Sequence, residues 1–289
     1  MLRLFTLMLS LITTIPLSAQ QIKIINELES QKSTYQKIAL KIWKWAELGY
    51  QEEKSSALLK KTLSDAGFAI QTNVAKIPTA FIAEYGSGHP IIAILAEYDA
   101  LPGISQKAIP TRDPLISGGA GHACGHHLFG TASIAAGIAI KNWIKNNKIN
   151  GTLRVYGTPA EEGGAGKVYL VRAGLFDDVD AVLHWHPGSN NNANPGSSLA
   201  NKSAKFRFYG ETSHAAVSPE RGRSALDGVE SMNQMVNMLR EHVPQETRIH
   251  YVITKGGEAP NVVPAFAEVF YYVRNPEVAN VKTIFERVV

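Results

Sequence analysis

Ile91-Ile92-Ala93-Ile94-Leu95-Ala96, set between Pro90 and Glu97-Tyr98-Asp99, is the stretch on which the fold turns. Six consecutive apolar residues with no alternation are too few for a helix of ordinary length and match a central strand buried on both faces. On its amino side, helical spacing of apolar residues runs over 25–49 and 52–67, the second segment ending in Gly67 as a C-cap. Short β-like runs follow at 68–74 and 80–85. On its carboxyl side a Gly- and Pro-rich loop covers 101–121, and a small-residue helix covers 128–144. A strand at 152–156, a loop at 157–164, a helix to Ala173 and a strand at 181–185 come next. Strands alternating with helices predict an α/β fold, a mainly parallel sheet with helices on both sides.

The Asn-, Pro-, Gly- and Ser-rich stretch 187–198 reads as a linker. Beyond it the pattern is strand (205–209), helix (224–242), strand (248–254), strand (267–274) and helix (277–289), a compact α+β unit. The expected division is a leader at 1–20, a first domain at 21–198 and a second at 199–289. The leader rests on Met1-Leu2-Arg3, an apolar run from Leu4 to Leu17, and Ser18-Ala19-Gln20. A basic start, a short apolar stretch and a small residue at the end describe a secretory signal and predict an exported protein, periplasmic or secreted, free of the membrane once the signal is cut. The run is shorter than a comfortable span.

The composition, 45% hydrophobic and 19% charged, is that of a globular protein with enough apolar content for a sizeable core. The net charge of +4 comes from scattered Lys and Arg without a dense run, which gives nucleic-acid binding no support.

Chemistry concentrates in Gly121-His122-Ala123-Cys124-Gly125-His126-His127, which holds the single cysteine and three of the nine histidines. One thiol closes no internal disulfide, whereas Cys beside His is a donor set for a borderline-soft metal. Two ligands do not make a site, and a chance cluster stands against them. Three strand ends supply more: Glu97-Tyr98-Asp99, Glu161-Glu162 in Thr158-Pro-Ala-Glu-Glu-Gly-Gly164, and His184-Trp185-His186-Pro187. Open α/β sheets gather reacting groups at the carboxyl ends of strands. Glu161 and Glu162 diverge, so one can hold a metal while the other faces a water as base. A solvated loop is the alternative, opposed by the flanking glycines and Pro159. His184 and His186 share a face by strand alternation, and His186, at the strand end beside Pro187, is favoured as ligand over a buried core histidine. Asp99 can orient a ligand, bridge two metals or cap a turn. His122 has no assigned role.

Ala96-Glu-Tyr-Asp-Ala-Leu-Pro-Gly103, Gly121-His-Ala-Cys-Gly-His126, Glu161-Glu162-Gly-Gly and Ser213-His214-Ala-Ala resemble, in order, the aminoacylase/carboxypeptidase family of co-catalytic metallopeptidases, in its Cys-ligand amidohydrolase branch. The resemblance spans roughly residues 30–289. It implies a catalytic domain holding two divalent metal ions, Zn or Mn, and an inserted lid that also mediates dimerisation, either as a homodimer or with a paralogous subunit. It implies Cys124, His126, Glu162 and His186 as metal ligands and Glu161 as general base, with Asp99 beside it in the catalytic set. His214 is implied as a histidine reaching a neighbouring subunit's site, and Asn261 and Arg274 as groups for the substrate's carboxylate. A turn Asn and a surface Arg are the plainer readings of the last two. The implied reaction is amide cleavage in an N-acyl or N-aroyl amino acid of the p-aminobenzoyl-glutamate kind, or in a small peptide.

Two departures stand out. His127 replaces the family's usual Asp or Asn, and relatives continue past the lid into a return segment carrying one more His ligand, so a fragment or a ligand-poor form is expected. A non-catalytic metal- or ligand-binding protein of the same fold is the alternative from another class, opposed by Glu161, for which a pure binder has no use. A cysteine hydrolase built on Cys124 leaves the Glu pair without a task.

Overall fold

The computed structural model describes residues 19–193 and 196–289. The leader read at 1–20 therefore lies almost wholly outside the described residues; Ala19 and Gln20 open the first helix. The chain divides into two units between Asn191 and Asn192, inside the stretch read as a linker. Among the described residues no helix is long and apolar enough to cross a membrane.

The first unit carries α1 (Ala19–Ser30), α2 (Lys32–Trp45), α3 (Glu53–Asp65), β1 (Ala69–Thr72), β2 (Phe81–Ser87) and β3 (Ile91–Ala96). It continues with α4 (His126–Asn147), β4 (Gly151–Gly157), the single turn α5 (Glu161–Gly164), α6 (Gly166–Arg172) and β5 (Ala181–Leu183). The helix expected at 25–49 is two helices. The Ser30 hydroxyl donates to the Glu27 carbonyl and the Gln31 amide to Leu28 at 3.1 Å, a tightened turn that breaks the run. Further on, α2 stops where Ala46 turns left-handed. Gly67, at φ +91°, closes α3 as the sequence predicts.

The sheet order is β1-β2-β4-β3-β5. The parallel arrangement holds for β4-β3-β5, while β1–β2 and β2–β4 pair antiparallel, so the sheet is mixed. Chain length explains this. Only residues 88–90 join β2 to β3, far short of the dozen or so that a parallel crossover needs. By contrast, β3 reaches β4 through the long helix α4, and the two run parallel.

Alternation along the strands splits the core between two faces. Ile94, Ala96, Leu153, Val155, Phe81 and Ala83 face α2, α3 and α4, meeting Ile42, Leu59, Leu63 and Ile134. Ala93, Leu95, Tyr156 and Ile82 face the other way, toward Leu170 of α6 and Leu175, Phe176 and Val179. Full burial of a Leu such as Leu59 or Leu63 contributes about 2 kcal/mol each. That two-sided burial is what the unbroken apolar run of β3 requires. The histidines, however, do not ride on a strand. The last strand, β5, pairs with β3 alone among the described residues and ends at Leu183, and Trp185 then donates to Ser133 of α4 at 3.1 Å.

The second unit is β6 (Ala200–Tyr209), α7 (Ala225–Leu239), β7 (Arg248–Lys255), β8 (Phe266–Asn275) and α8 (Val278–Val288). The sheet order is β6-β8-β7, all antiparallel. The α+β reading holds, with β6 starting five residues before the expected strand. α7 begins where the Ser224 hydroxyl accepts from the Asp227 amide at 3.2 Å, an N-cap. Val229, Val236, Tyr271, Val273, Ile284 and Phe285 form the core between sheet and helices.

Candidate metal centre

Glu97 and Asp99 follow β3, Glu161 and Glu162 follow β4, and His184 and His186 follow β5. These three strands are neighbours running the same way, so their carboxyl ends meet. α4 begins at His126 and brings Cys124 to the same place. The turn before it needs Gly125, at φ +88°, where a Cβ would come within 3.0 Å of the Pro187 ring. Gly130 lets α4 lie on the end of β3, since a Cβ there would sit 2.5 Å from the Glu97 carbonyl.

Two overlapping groups of donor atoms result, Cys124–His126–His186 and Glu97–His126–Glu161, each with its atoms within 4.8 Å of one another. Cys124 Sγ lies 3.3 Å from His186 Nε2. His126 is fully buried. Its Nδ1 donates to Asp99, with Oδ1 at 2.9 Å and the carbonyl at 3.1 Å, and its Nε2 is 3.0 Å from Glu97 Oε2 and 4.0 Å from Glu161 Oε2. The other oxygen of Asp99, Oδ2, accepts the Glu162 amide at 2.7 Å. Both Asp99 oxygens are thus occupied in holding His126 and the Glu162 backbone. Of its possible roles, the geometry supports orienting a ligand.

The loop carrying Glu161 and Glu162 is held in an uncommon shape. Ala160 adopts φ +56° without being glycine, a conformation that persists only where its surroundings impose it. Here the fully buried Glu52 accepts the Ala160 amide at 2.8 Å, and Tyr50 donates to the Gly164 carbonyl at 2.6 Å. Burial pushes the Glu52 carboxyl up from its ordinary range. Within this turn Glu162 is half-buried while Glu161 stays exposed, its side chain 47% accessible. That is the division a metal ligand and a base require.

The electrostatics ask for positive charge. Burial, then Glu162, Glu161 and Glu97, push the Cys124 thiol up to about 12. Burial also raises the Glu162 carboxyl. Glu97 goes the other way: burial opposes its charge, but His126, His184 and Lys167 hold it well below the usual carboxylate range. Burial opposes charge on His126 too, yet Asp99 and Glu97 lift it to about 10. Glu97 Oε2, His126 Nε2 and Glu162 Oε1 are buried and find no hydrogen-bond partner among the described residues. Unpaired buried donors and acceptors are costly, and bound cations offset that cost; Glu162 itself lies outside both donor groups. Thiolate, imidazole and carboxylate suit a borderline-soft ion such as Zn, so the residues fit the expected metal.

His122 and His127 stand apart from the donor groups. Their rings are 5.1 Å apart, His127 meets Trp43 edge-on at 4.7 Å, and burial lowers both to about 4. His184 faces Glu97 Oε1 at 3.4 Å instead of Cys124, in keeping with His186 as the ligand. Sequence reasoning quoted Glu97 at its strand end without giving it a role, and missed Lys167 and Glu52. The alternation that paired His184 with His186 would also have paired Glu97 with Asp99. An open apolar pocket of about 450 Å³, lined by α1, α2, α4 and Trp185, holds none of these groups.

In the second unit, His214 and Asn261 come together: residue 214 bridges 262, and the Ala215 amide donates to the Asn261 carbonyl at 3.0 Å. Arg274 lies near the far end of β8, about 27 Å along the strand from Phe266, with its guanidinium over the Tyr272 ring at 5.3 Å. Within this unit it is not brought to Asn261.

A profile of peptidase family M20/M25/M40 matches residues 93–279, which takes in every one of these strand ends. The chain belongs to peptidase family M20. It is 48% identical to one of the subunits of p-aminobenzoyl-glutamate hydrolase from Escherichia coli strain K12, over 90% of this chain and 55% of that protein. It is 31% identical to the Xaa-Arg dipeptidase of Mus musculus, over 85% of this chain and 56% of that protein. The chain thus spans just over half the length of these curated M20 relatives. The aminobenzoyl-glutamate utilization protein from Klebsiella pneumoniae superposes with a TM-score of 0.62 at 20% identity, covering 92% of this chain and 72% of that one. A dinuclear metal-binding M20 peptidase from Bacillus subtilis gives 0.59 at 23% identity, covering 90% and 68%. Both likenesses show a shared fold, and with it the α/β metallohydrolase architecture read from the sequence.

Proposed function

We propose that this M20 chain is the amide-cleaving part of a metal-dependent amidohydrolase acting on N-acyl or N-aroyl amino acids of the p-aminobenzoyl-glutamate kind, or on small peptides. The observation that carries it is the pairing of an exposed Glu161 with a buried, partnerless donor set on the same strand ends. Cys124, His126, Glu162 and His186 would hold two divalent ions. When bound, such ions supply Lewis acidity for the amide carbonyl and lower the pKa of water. Asp99 keeps the proton of His126 on Nδ1, leaving Nε2 as an electron-pair donor. Glu161 accepts the proton of the attacking water and returns it to the departing amine. Phe129, fully buried beneath His126, His184 and His186, makes the floor of the centre apolar.

The substrate class is supported by the name of the 48%-identical relative. Asn261 and Arg274 are proposed as groups for the substrate's carboxylate, and His214 as the histidine that reaches a neighbouring subunit's site. Pairing with a second copy or a paralogous subunit is supported by relatives named as two different subunits of one hydrolase. Export is proposed on the composition of residues 1–20.

The test is a panel of N-acyl amino acids and dipeptides offered to protein reloaded with Zn or Mn after chelation, with its mass measured alone and beside a paralogue of the kind that forms the hydrolase's other subunit. Metal-dependent release of the free amino acid is expected. Metal binding without turnover of any panel member, in either assembly, would support the pure binder instead.

A further inference from the structure

Glu97 has no task in the mechanism above, yet it is almost fully buried, 2% exposed at the tip of β3. Its two oxygens face different company. Oε1 accepts from the Lys167 ammonium and lies 3.4 Å from His184 Nε2. Oε2 lies 3.0 Å from His126 Nε2.

That second contact is the informative one. His126 Nδ1 faces only acceptors, the Asp99 carboxylate and carbonyl, so Nδ1 carries the hydrogen and Nε2 is free to offer its lone pair. With a hydrogen on Nε2 the two atoms form an ion pair, yet they are not aligned as a hydrogen bond, and neither finds another partner among the described residues. Proximity without alignment is what two ligands of one ion show, because each points at the ion and not at its neighbour. Two donors about 2.1 Å from one ion stand about 3.0–3.4 Å apart as the angle between them runs from right to tetrahedral, and the 3.0 Å seen here lies at the near end of that range.

We propose that Glu97 is a further metal ligand, giving Oε2 to the ion held by His126, while Lys167 and His184 keep its other oxygen engaged so that it binds through one oxygen only. Lys167 is placed for this by α6, which starts directly after the turn carrying Glu161 and Glu162. The inference rests on the metal-centre reading and extends it by one residue.

The deciding measurement is anomalous diffraction from crystals of the full chain loaded with zinc. Glu97 Oε2 is expected at ligand distance, about 2.0–2.2 Å from an ion. Two ions bound through Cys124, His126, Glu162 and His186 with Glu97 beyond about 3 Å would overturn this inference and leave the metal-centre reading intact. A chain that takes up no zinc would overturn both. In solution, Glu97→Gln is expected to weaken binding of one of two cobalt(II) ions by about 10–100-fold or more and to change the cobalt absorption bands. Lys167→Met, which leaves the carboxylate in place, should keep both ions and perturb the bands less. Unchanged affinity and spectrum in Glu97→Gln would refute ligation. Should that variant fail to fold, the zinc distance in the wild-type chain decides.

Discussion

The two ends of the first sheet treat charge in opposite ways. Toward the amino ends of β3 and β5, and along β4, each acid has met its base. Arg154 takes Glu84 at 2.6 Å and both oxygens of Asp178 at 2.7 and 2.9 Å. Asp180 accepts from the Ile91 amide at 2.7 Å and faces His89 at 2.8 Å. Arg154 holds the Asp178 carboxyl below its ordinary range, and the Ile91 amide and His89 do the same for Asp180. At the carboxyl ends four acids, Glu97, Asp99, Glu161 and Glu162, crowd together, a thiol is pushed up, and buried polar atoms find no partner among the described residues. A network closed within the chain stabilises the fold, whereas one left open calls for something from outside. The same sheet therefore separates structural charge from functional charge by strand direction alone.

The largest effect that would sharpen this contrast is at Glu161. Glu161→Gln should retain its metal and lose about 10²–10⁴-fold in turnover, since the amide cannot accept the water's proton. Steady-state kinetics beside metal analysis check both halves, and turnover within a few-fold of wild type would break the assignment. Next comes Asp99→Asn, which spoils the carboxylate that orients His126. A fall of about 10–100-fold in metal affinity is expected by chelator competition; an unchanged affinity would mean His126 needs no such support. The smallest effect belongs to the closed end. Arg154→Met should leave metal content and turnover alone and cost about 1 kcal/mol in urea unfolding, the upper end for ion pairs whose acids water still reaches. Loss of metal in that variant would show the two ends to be coupled.

The backbone of this division was legible in the sequence. Ile91–Ala96 announced a strand buried on both faces, and the motifs around Asp99, Glu161 and His186 marked the ends of three strands of one sheet, with Cys124 beside them. What stayed hidden was burial and backbone shape. Lys167 lies in a helix, where a lysine reads as solvated, and only the fold places it against Glu97. Glu52 and Tyr50 act across more than a hundred residues to hold the turn at Ala160, and spacing along the chain says nothing about such partners. The direction of β2 was equally mute, because it follows from a three-residue link whose shortness matters only once the strands are known to share a sheet.

The parallel order β4-β3-β5 has a consequence for how far the centre can be remodelled. Adjacent strands stand about 4.8 Å apart wherever their backbones pair, and Thr158 is still hydrogen-bonded to Ala96 at 2.8 Å just before the two donor loops part. The pitch between the groups that follow is therefore set by the sheet acting as a ruler, not by the loops. Changes in loop length or composition can retune which atoms are offered and how strongly. They cannot stretch the ruler, so a larger ion pair or a wider cluster would require a new strand register, with every core side chain on the shifted strand exchanged from one face to the other.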